Sequence, residues 1–117
     1  MNFRRILGAG AMAVAFSLAG LAAHAQTWPS QPVKLIVGFS PGGTIDVVAR
    51  IIGDRLQASL GQPFVVENRT GANGMLAAEA VAGAAPDGYS VFVSNSSTIT
   101  LNPTLFKDLK YDPERDF

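Results

Sequence analysis

Short β-branched runs and longer stretches of helical period alternate twice along residues 33–94, and few folds accommodate that order. Residues 33–39 read Val-Lys-Leu-Ile-Val-Gly-Phe, a mostly apolar run between Pro32 and Pro41-Gly42-Gly43, as expected of a buried strand. Over residues 44–60, Ile45, Val48, Ala49, Ile52, Leu56 and Leu60 recur at three- and four-residue spacing. Asp54, Arg55 and Gln57 take other faces and Gly61 supplies a stop, so the segment is expected to be an amphipathic helix. A second strand is expected over 63–67, a polar Gly-rich loop over 68–74 and an Ala-rich helix over 75–85, ended by Pro86-Asp87-Gly88. A third strand, 89–94, leads through a polar turn to a short helical stretch at 99–106, and residues 111–117 show no period. The order β-α-β-α-β with short connections implies right-handed crossovers and a parallel α/β sheet with helices on both faces.

Ligand sites in such sheets lie off the carboxyl ends of the strands. Three loops meet that requirement, at residues 40–44, 68–74 and 95–98, and all are rich in Gly, Ser, Thr and Asn. Such residues offer backbone N–H groups and neutral donors, a suitable setting for a carboxylate. Pro41, Gly42, Gly43 and Thr44 serve equally as a tight turn that starts a helix, but adjacent glycines also let a ligand reach the backbone, and the binding role is preferred. Asp46 is expected near the third helical position, where capping of free amides is preferred over contact with a ligand ammonium. Asn73 is either the N-cap of the second helix or a site residue. Ser94, Asn95, Ser96, Ser97 and Thr98 form the densest hydroxyl cluster, read as ligand-binding rather than as a solvated turn because it follows the third strand.

The N-terminus has the layout of a secretion signal: Arg4 and Arg5, an uncharged Ala-, Gly- and Leu-rich run over 6–22, and Ala23-His24-Ala25 as a small-x-small cleavage pattern. Residues 1–25 are therefore expected to be removed, by the general secretory route rather than the twin-arginine one. That removal takes Lys plus Arg from 9 to 7 against 9 Asp plus Glu, a formal charge of −2, and no basic run remains to meet nucleic-acid phosphates. His24, the single histidine, leaves with the signal, and the chain has no cysteine. Neither a Ser-His-Asp nor a Cys-His triad can then be built, nor a metal site of thiolate or imidazole. An acidic residue ending a second strand, here Glu67, is where a dinucleotide fold keeps its ribose ligand. No G-x-G-x-x-G or G-x-x-x-x-G-K-[ST] pattern accompanies it, so Glu67 is read as a surface or interdomain ion pair with Arg69.

The string from Trp28 to Arg50, with Gly38-Phe39-Ser40-Pro41-Gly42-Gly43-Thr44-Ile45-Asp46 at its centre, resembles the opening of the tripartite tricarboxylate transporter receptors, the Bug family. Gly61-Gln62-Pro63-Phe64-Val65-Val66-Glu67-Asn68-Arg69, Gly71-Ala72-Asn73-Gly74, Ala84-Ala85-Pro86-Asp87-Gly88-Tyr89, Asn102-Pro103 and Tyr111-Asp112-Pro113 agree in order. The resemblance implies a periplasmic-binding-protein-like (type II) fold, in which two α/β lobes close on a carboxylate without catalysis, metal or cofactor. Di- and tricarboxylates, acidic amino acids and aromatic acids are the ligand classes it implies, with integral membrane transporter subunits as partners and a monomeric full-length receptor. It also implies that residues 26–117 are a partial N-terminal lobe, with the second lobe missing, and that the three loops line the cleft. Gly38 and Ser40 stand where proline is frequent in that family, and Met75, Leu76 and Ala77 also depart from its pattern, which leaves the particular acid open. Such a lobe alone is expected to bind weakly and to aggregate. A partner-sensing module on the same fold, an exported enzyme completed by absent residues and a non-functional truncated copy are the other readings.

Protein recovered from the periplasm of a Gram-negative host is expected to have an intact mass corresponding to a chain that starts at Gln26. Retention of residues 1–25 on membrane-bound protein would identify an anchor instead.

Overall fold

The central strand collects both crossovers. In the computed structural model, which describes residues 27–117, β1 (Val33–Val37) is hydrogen-bonded on one side to β2 (Phe64–Asn68) and on the other to β3 (Ser90–Val93). All pairings are parallel and the sheet order is β2-β1-β3. Leu35 stands opposite Val66 on one flank and Val91 on the other, so one register serves both sides. Helix α1 (Thr44–Leu60) carries the chain from β1 to β2, and α2 (Met75–Ala82) carries it back past β1 to β3. Two right-handed crossovers in opposite directions place the helices on opposite faces.

The side-chain alternation of β1 follows from this. Leu35 lies under α1, and a methyl group at Gly53 would come within 3.2 Å of its Cδ1. Val33, Leu35 and Phe64 form the buried cluster, joined by the half-buried Leu56 of α1, Val66, Tyr89 and Val93. On the opposite face, just past the end of β1 and three residues after Leu35, Gly38 meets Gly74 and Ala77. Ala77 and Ala78 of α2 are fully buried, so small side chains let this helix lie close to the sheet.

Helix α1 has the expected limits but a different buried stripe. Asp46, Ala49 and Gly53 face the sheet, whereas Val48 and Ile52, counted in the expected apolar face, are 43% and 45% exposed. The reason is distance: an approach that puts Gly53 against Leu35 and the Phe64 backbone admits only small groups on that stripe. Helix α2 ends at Ala82 rather than at residue 85, and β1 stops at Val37 because Gly38 and Phe39 turn out of the ladder.

The end of the chain is more ordered than its sequence period suggests. A π-helical turn, Ser97–Leu101, runs directly into the short helix α3 (Asn102–Leu105). Helix α4 (Pro113–Asp116) is capped by Asp112, whose carboxylate accepts the Glu114 N–H at 3.0 Å. Phe117 stacks on Phe92 of β3 with ring centroids 5.1 Å apart, and Tyr111 lies 5.9 Å from the same ring. At the other end of the sheet Tyr89 packs on Trp28 and accepts the Ser30 N–H at 2.9 Å, tying the start of the described chain to β3. Among the described residues no helix is long and apolar enough to cross a membrane. The expected signal segment, 1–25, lies outside the described residues.

Gly38 is the tightest test of this packing, since an added Cβ would lie 2.7 Å from Gly74 Cα, a backbone atom that cannot step aside. Gly38→Ala is expected to cost about 1–3 kcal/mol in urea denaturation through overpacking. Gly83→Ala, where a Cβ meets only Glu79 O at 3.4 Å, is expected to stay within about 0.5 kcal/mol of wild type. Equal losses at the two sites would contradict the close approach of β1 and the start of α2.

Candidate functional site

The three polar loops sit at the carboxyl ends of the three parallel strands, and hydrogen bonds join them into one rim. In the first loop Gly42 takes the left-handed region, φ 79°, and Gly43 N–H bonds Ser40 O at 3.2 Å. Gly43 is the N-cap of α1, without a side-chain bond, so the helix starts from bare backbone. Pro41, Gly42 and Thr44 are exposed and Gly43 is half-buried.

Asp46 behaves differently from its neighbours. It is 2% exposed and bonds none of the free amides of its own helix. Its Oδ2 accepts Gly42 N–H at 2.9 Å and Arg50 Nε at 2.9 Å, while Oδ1 accepts Arg50 Nη2 at 3.0 Å and Asn68 Nδ2 at 2.9 Å. Asn68 Nδ2 also reaches Phe39 O at 3.0 Å. These bonds, led by the guanidinium and followed by the Gly42 and Asn68 N–H groups, hold the Asp46 carboxyl far below the usual carboxylate range. The capping expected of Asp46 lands one residue before the N-cap, on the Gly42 N–H rather than on an amide of Gly43 or of α1.

The second loop is bound to the third. Asn73 lies in a short 3₁₀ turn, Ala72–Gly74, at φ 52° and ψ 43°, and α2 begins after Gly74, so Asn73 is not its N-cap. Its side-chain Nδ2 donates to Asn102 Oδ1 at 2.8 Å. Its carbonyl accepts Thr98 Oγ1 at 3.0 Å and Asn102 Nδ2 at 3.2 Å. Gly74 packs against Thr98 so closely that a Cβ would meet Oγ1 at 2.6 Å. Thr98 and Asn102 are fully buried, and Tyr111, 4% exposed, locks them by donating to Thr98 O at 2.6 Å and accepting Asn102 Nδ2 at 3.3 Å.

The third loop divides into buried and open parts. Asn95 and Ser96 are exposed, Ser94 and Ser97 are half-buried, and Ser97 Oγ, with a single proton to give, lies within hydrogen-bonding distance of both Asn95 Oδ1 and Asn73 Oδ1, closer to the former. Ser94 Oγ is buried and finds no partner among the described residues, an uncommon state for a hydroxyl. An open groove of about 650 Å³ runs along β3, lined by Val91, Phe92, Ser94, Asn95, Ile99 and Phe117 among others. It takes in the start of the third loop but neither of the other two.

The structure thus brings Asn73, Ser97 and Thr98 into one hydrogen-bonded group and places Pro41, Gly42, Gly43 and Thr44 on the same strand ends. It adds Asn68, Asn102 and Tyr111, which sequence reading did not single out. Their signal was weak, since an Asn ending a strand and a Tyr in an aperiodic tail carry no pattern of their own. Glu67 forms the expected surface pair, with Arg69 Nη2 at 2.7 Å and Lys34 Nζ at 3.6 Å. Among the described residues no group of three His, Cys, Asp or Glu could hold a metal ion.

Polar loops at the carboxyl ends of a parallel α/β sheet stand where ligand sites of this fold class lie. Residues 48–117 match the profile described as the tripartite tricarboxylate transporter family receptor, and the chain belongs to that family. A UPF0065 protein of Bordetella bronchiseptica is 46% identical over 103 residues, 88% of this chain and 31% of the relative. MatC of Rhodopseudomonas palustris, solved with bound malate, superposes with a TM-score of 0.73 at 43% identity, covering 77% of this chain and 31% of MatC. The periplasmic binding protein BugD superposes at 0.70 with 38% identity, covering 74% of this chain and 28% of BugD. The chain therefore spans about 30% of the length of the relatives it matches.

Asp46 gives the fold an acid-sensitive joint. Its folded pKa lies below the ordinary value of about 3.9, so the unfolded chain binds the proton more readily and stability rises with pH through that range. The contribution is complete above about pH 5 and is lost as pH falls below about 4 toward the folded value. Glu67 and Asp116 shift the same way, through Arg69 and Arg115, but both pairs involve largely exposed arginines and are screened by solvent. Urea midpoints are expected to hold from pH 7 to 5 and then decline, with a shallower acid limb in Asp46→Asn. An unchanged limb in that variant would remove Asp46 from the account.

Proposed function

We propose that this chain forms the ligand-facing part of the first lobe of an extracytoplasmic receptor that captures a small carboxylate and presents it to integral membrane transporter subunits. The observation that carries the reading is the rim itself: three polar, Gly-rich or hydroxyl-rich loops on adjacent parallel strand ends, fastened together through Asn68, Asn73, Thr98 and Asn102. Backbone amides at the start of α1, the exposed Thr44, Asn95 and Ser96, and the unpartnered Ser94 hydroxyl are the donors such a rim offers to an anion. MatC, at 43% identity, was solved with malate, which makes a dicarboxylate the first ligand class to test. In this reading residues 1–25 direct export to the periplasm and are removed, residues 26–117 belong to one lobe of a two-lobe, monomeric receptor, and the ligand is bound without turnover.

The test is a thermal-shift screen of the mature protein expressed from its own gene, with malate, other di- and tricarboxylates, acidic amino acids and aromatic acids. A ligand at about 100 times its Kd stabilises the folded state by about 2.7 kcal/mol, a rise of several degrees that scales with the logarithm of concentration. Stabilisation by one class of acid is the expected result. A folded protein that responds to none of them would remove the carboxylate-receptor assignment.

A further inference from the structure

We propose that Asp46 is a positioning residue for the first loop and makes no contact with ligand; this rests on the receptor reading above. An ionised carboxylate has about four lone-pair sites for hydrogen bonding. Here all four are used, two on Oδ2 by Gly42 N–H and Arg50 Nε, and two on Oδ1 by Arg50 Nη2 and Asn68 Nδ2. The side chain is also 3% exposed, so an incoming ammonium or hydroxyl would have to break an existing bond to reach it.

What the carboxylate does instead is join three pieces of chain. Gly42 belongs to the turn, Asp46 and Arg50 to successive turns of α1, and Asn68 to the end of β2. Asn68 adds a second tie through Phe39 O at 3.0 Å, so both ends of the segment between β1 and α1 are fixed to the neighbouring strand. That segment contains Gly42 at φ 79° and two further glycines, Gly38 and Gly43, the residue type with the most backbone freedom to lose on ordering. The first intrahelical bond of α1 runs from Val47 N–H to Gly43 O at 3.0 Å, which leaves the amides of Thr44 and Ile45 without helical partners. Asp46 holds those amides in place before a ligand arrives, and the ordering cost then does not fall on binding.

Asp46→Ala and the milder Asn68→Ala test this in the mature protein expressed from its own gene, by amide hydrogen exchange and by titration with malate. If malate fails, the acid that gives the largest thermal shift replaces it. Exchange at Gly42 and Gly43, whose N–H groups are bonded to Asp46 Oδ2 and Ser40 O, is expected to rise at least tenfold in both variants, with the amides of Met75–Ala82 unchanged. The dissociation constant is expected to rise about tenfold, roughly 1.4 kcal/mol. Val33→Ala, which weakens the core at the far end of β1, is expected to lower the melting point without moving the dissociation constant. If Asp46→Ala does not fold, Asn68→Ala decides alone. Unchanged exchange at Gly42 and Gly43, or faster exchange with unaltered affinity, overturns the proposal. An affinity loss matched by Val33→Ala overturns it as well, by reducing the effect to global stability. A wild-type protein that binds no acid overturns the receptor reading instead, and exchange still shows whether the loop depends on Asp46.

Discussion

Everything at the rim depends on β1 being paired on both sides. Because β2 and β3 flank one strand in the same direction, the three strand ends, and the loops that leave them, come out side by side. The right-handed crossover then fixes which face each helix takes, and the two helices meet the sheet through small groups: Ala49 and Gly53 on one side, Gly38 against Gly74 and Ala77 on the other. Close approach is what brings Gly74 within reach of Thr98 and the second loop within hydrogen-bonding distance of the third. Larger side chains at these points would separate the layers and the loops together.

The alternation of strand and helix was legible because it rests on local period and on punctuation by Pro and Gly. Thr44 and Leu60 bound α1 as expected, Gly61 stops it in the left-handed region, and the resemblance to the receptor family is matched by the family profile. The buried stripe of α1 was not legible, for a specific reason. Apolar residues surround much of that helix, with Val47, Val48, Ile51 and Ile52 all more than 40% exposed, so hydrophobicity alone does not mark the side that meets the sheet. The marker is Gly53, an apparent weak point in a helix that is in fact the point of contact.

The polar network was legible only in part. Asn73, Ser97 and Thr98 stood out as a loop cluster, but their partners Asn102 and Tyr111 lie in short elements set by tertiary contact. The π-helical turn at Ser97–Leu101 has no sequence period, and α4 depends on Asp112 and on the Phe117 ring against Phe92. Long-range hydrogen bonds, such as Tyr111 to Thr98 or Asn73 to Asn102, are invisible to any window of local pattern. A side chain that acts on a partner 29 positions away leaves no signature near itself.

Buried polar groups in this lobe serve geometry more than net attraction. A charge as enclosed as Asp46 adds little stability relative to an apolar group of its size, but once its four bonds are made, any displacement of the first loop must break one of them. The same holds for Thr98 and Asn102, each fully buried and each satisfied by a named partner. An apolar core under the loops could bury similar area without specifying where the chain turns. Fixed loops made of flexible residues are the outcome: glycines permit the tight turns at the strand ends, and the polar joints beneath remove the freedom that glycine otherwise brings.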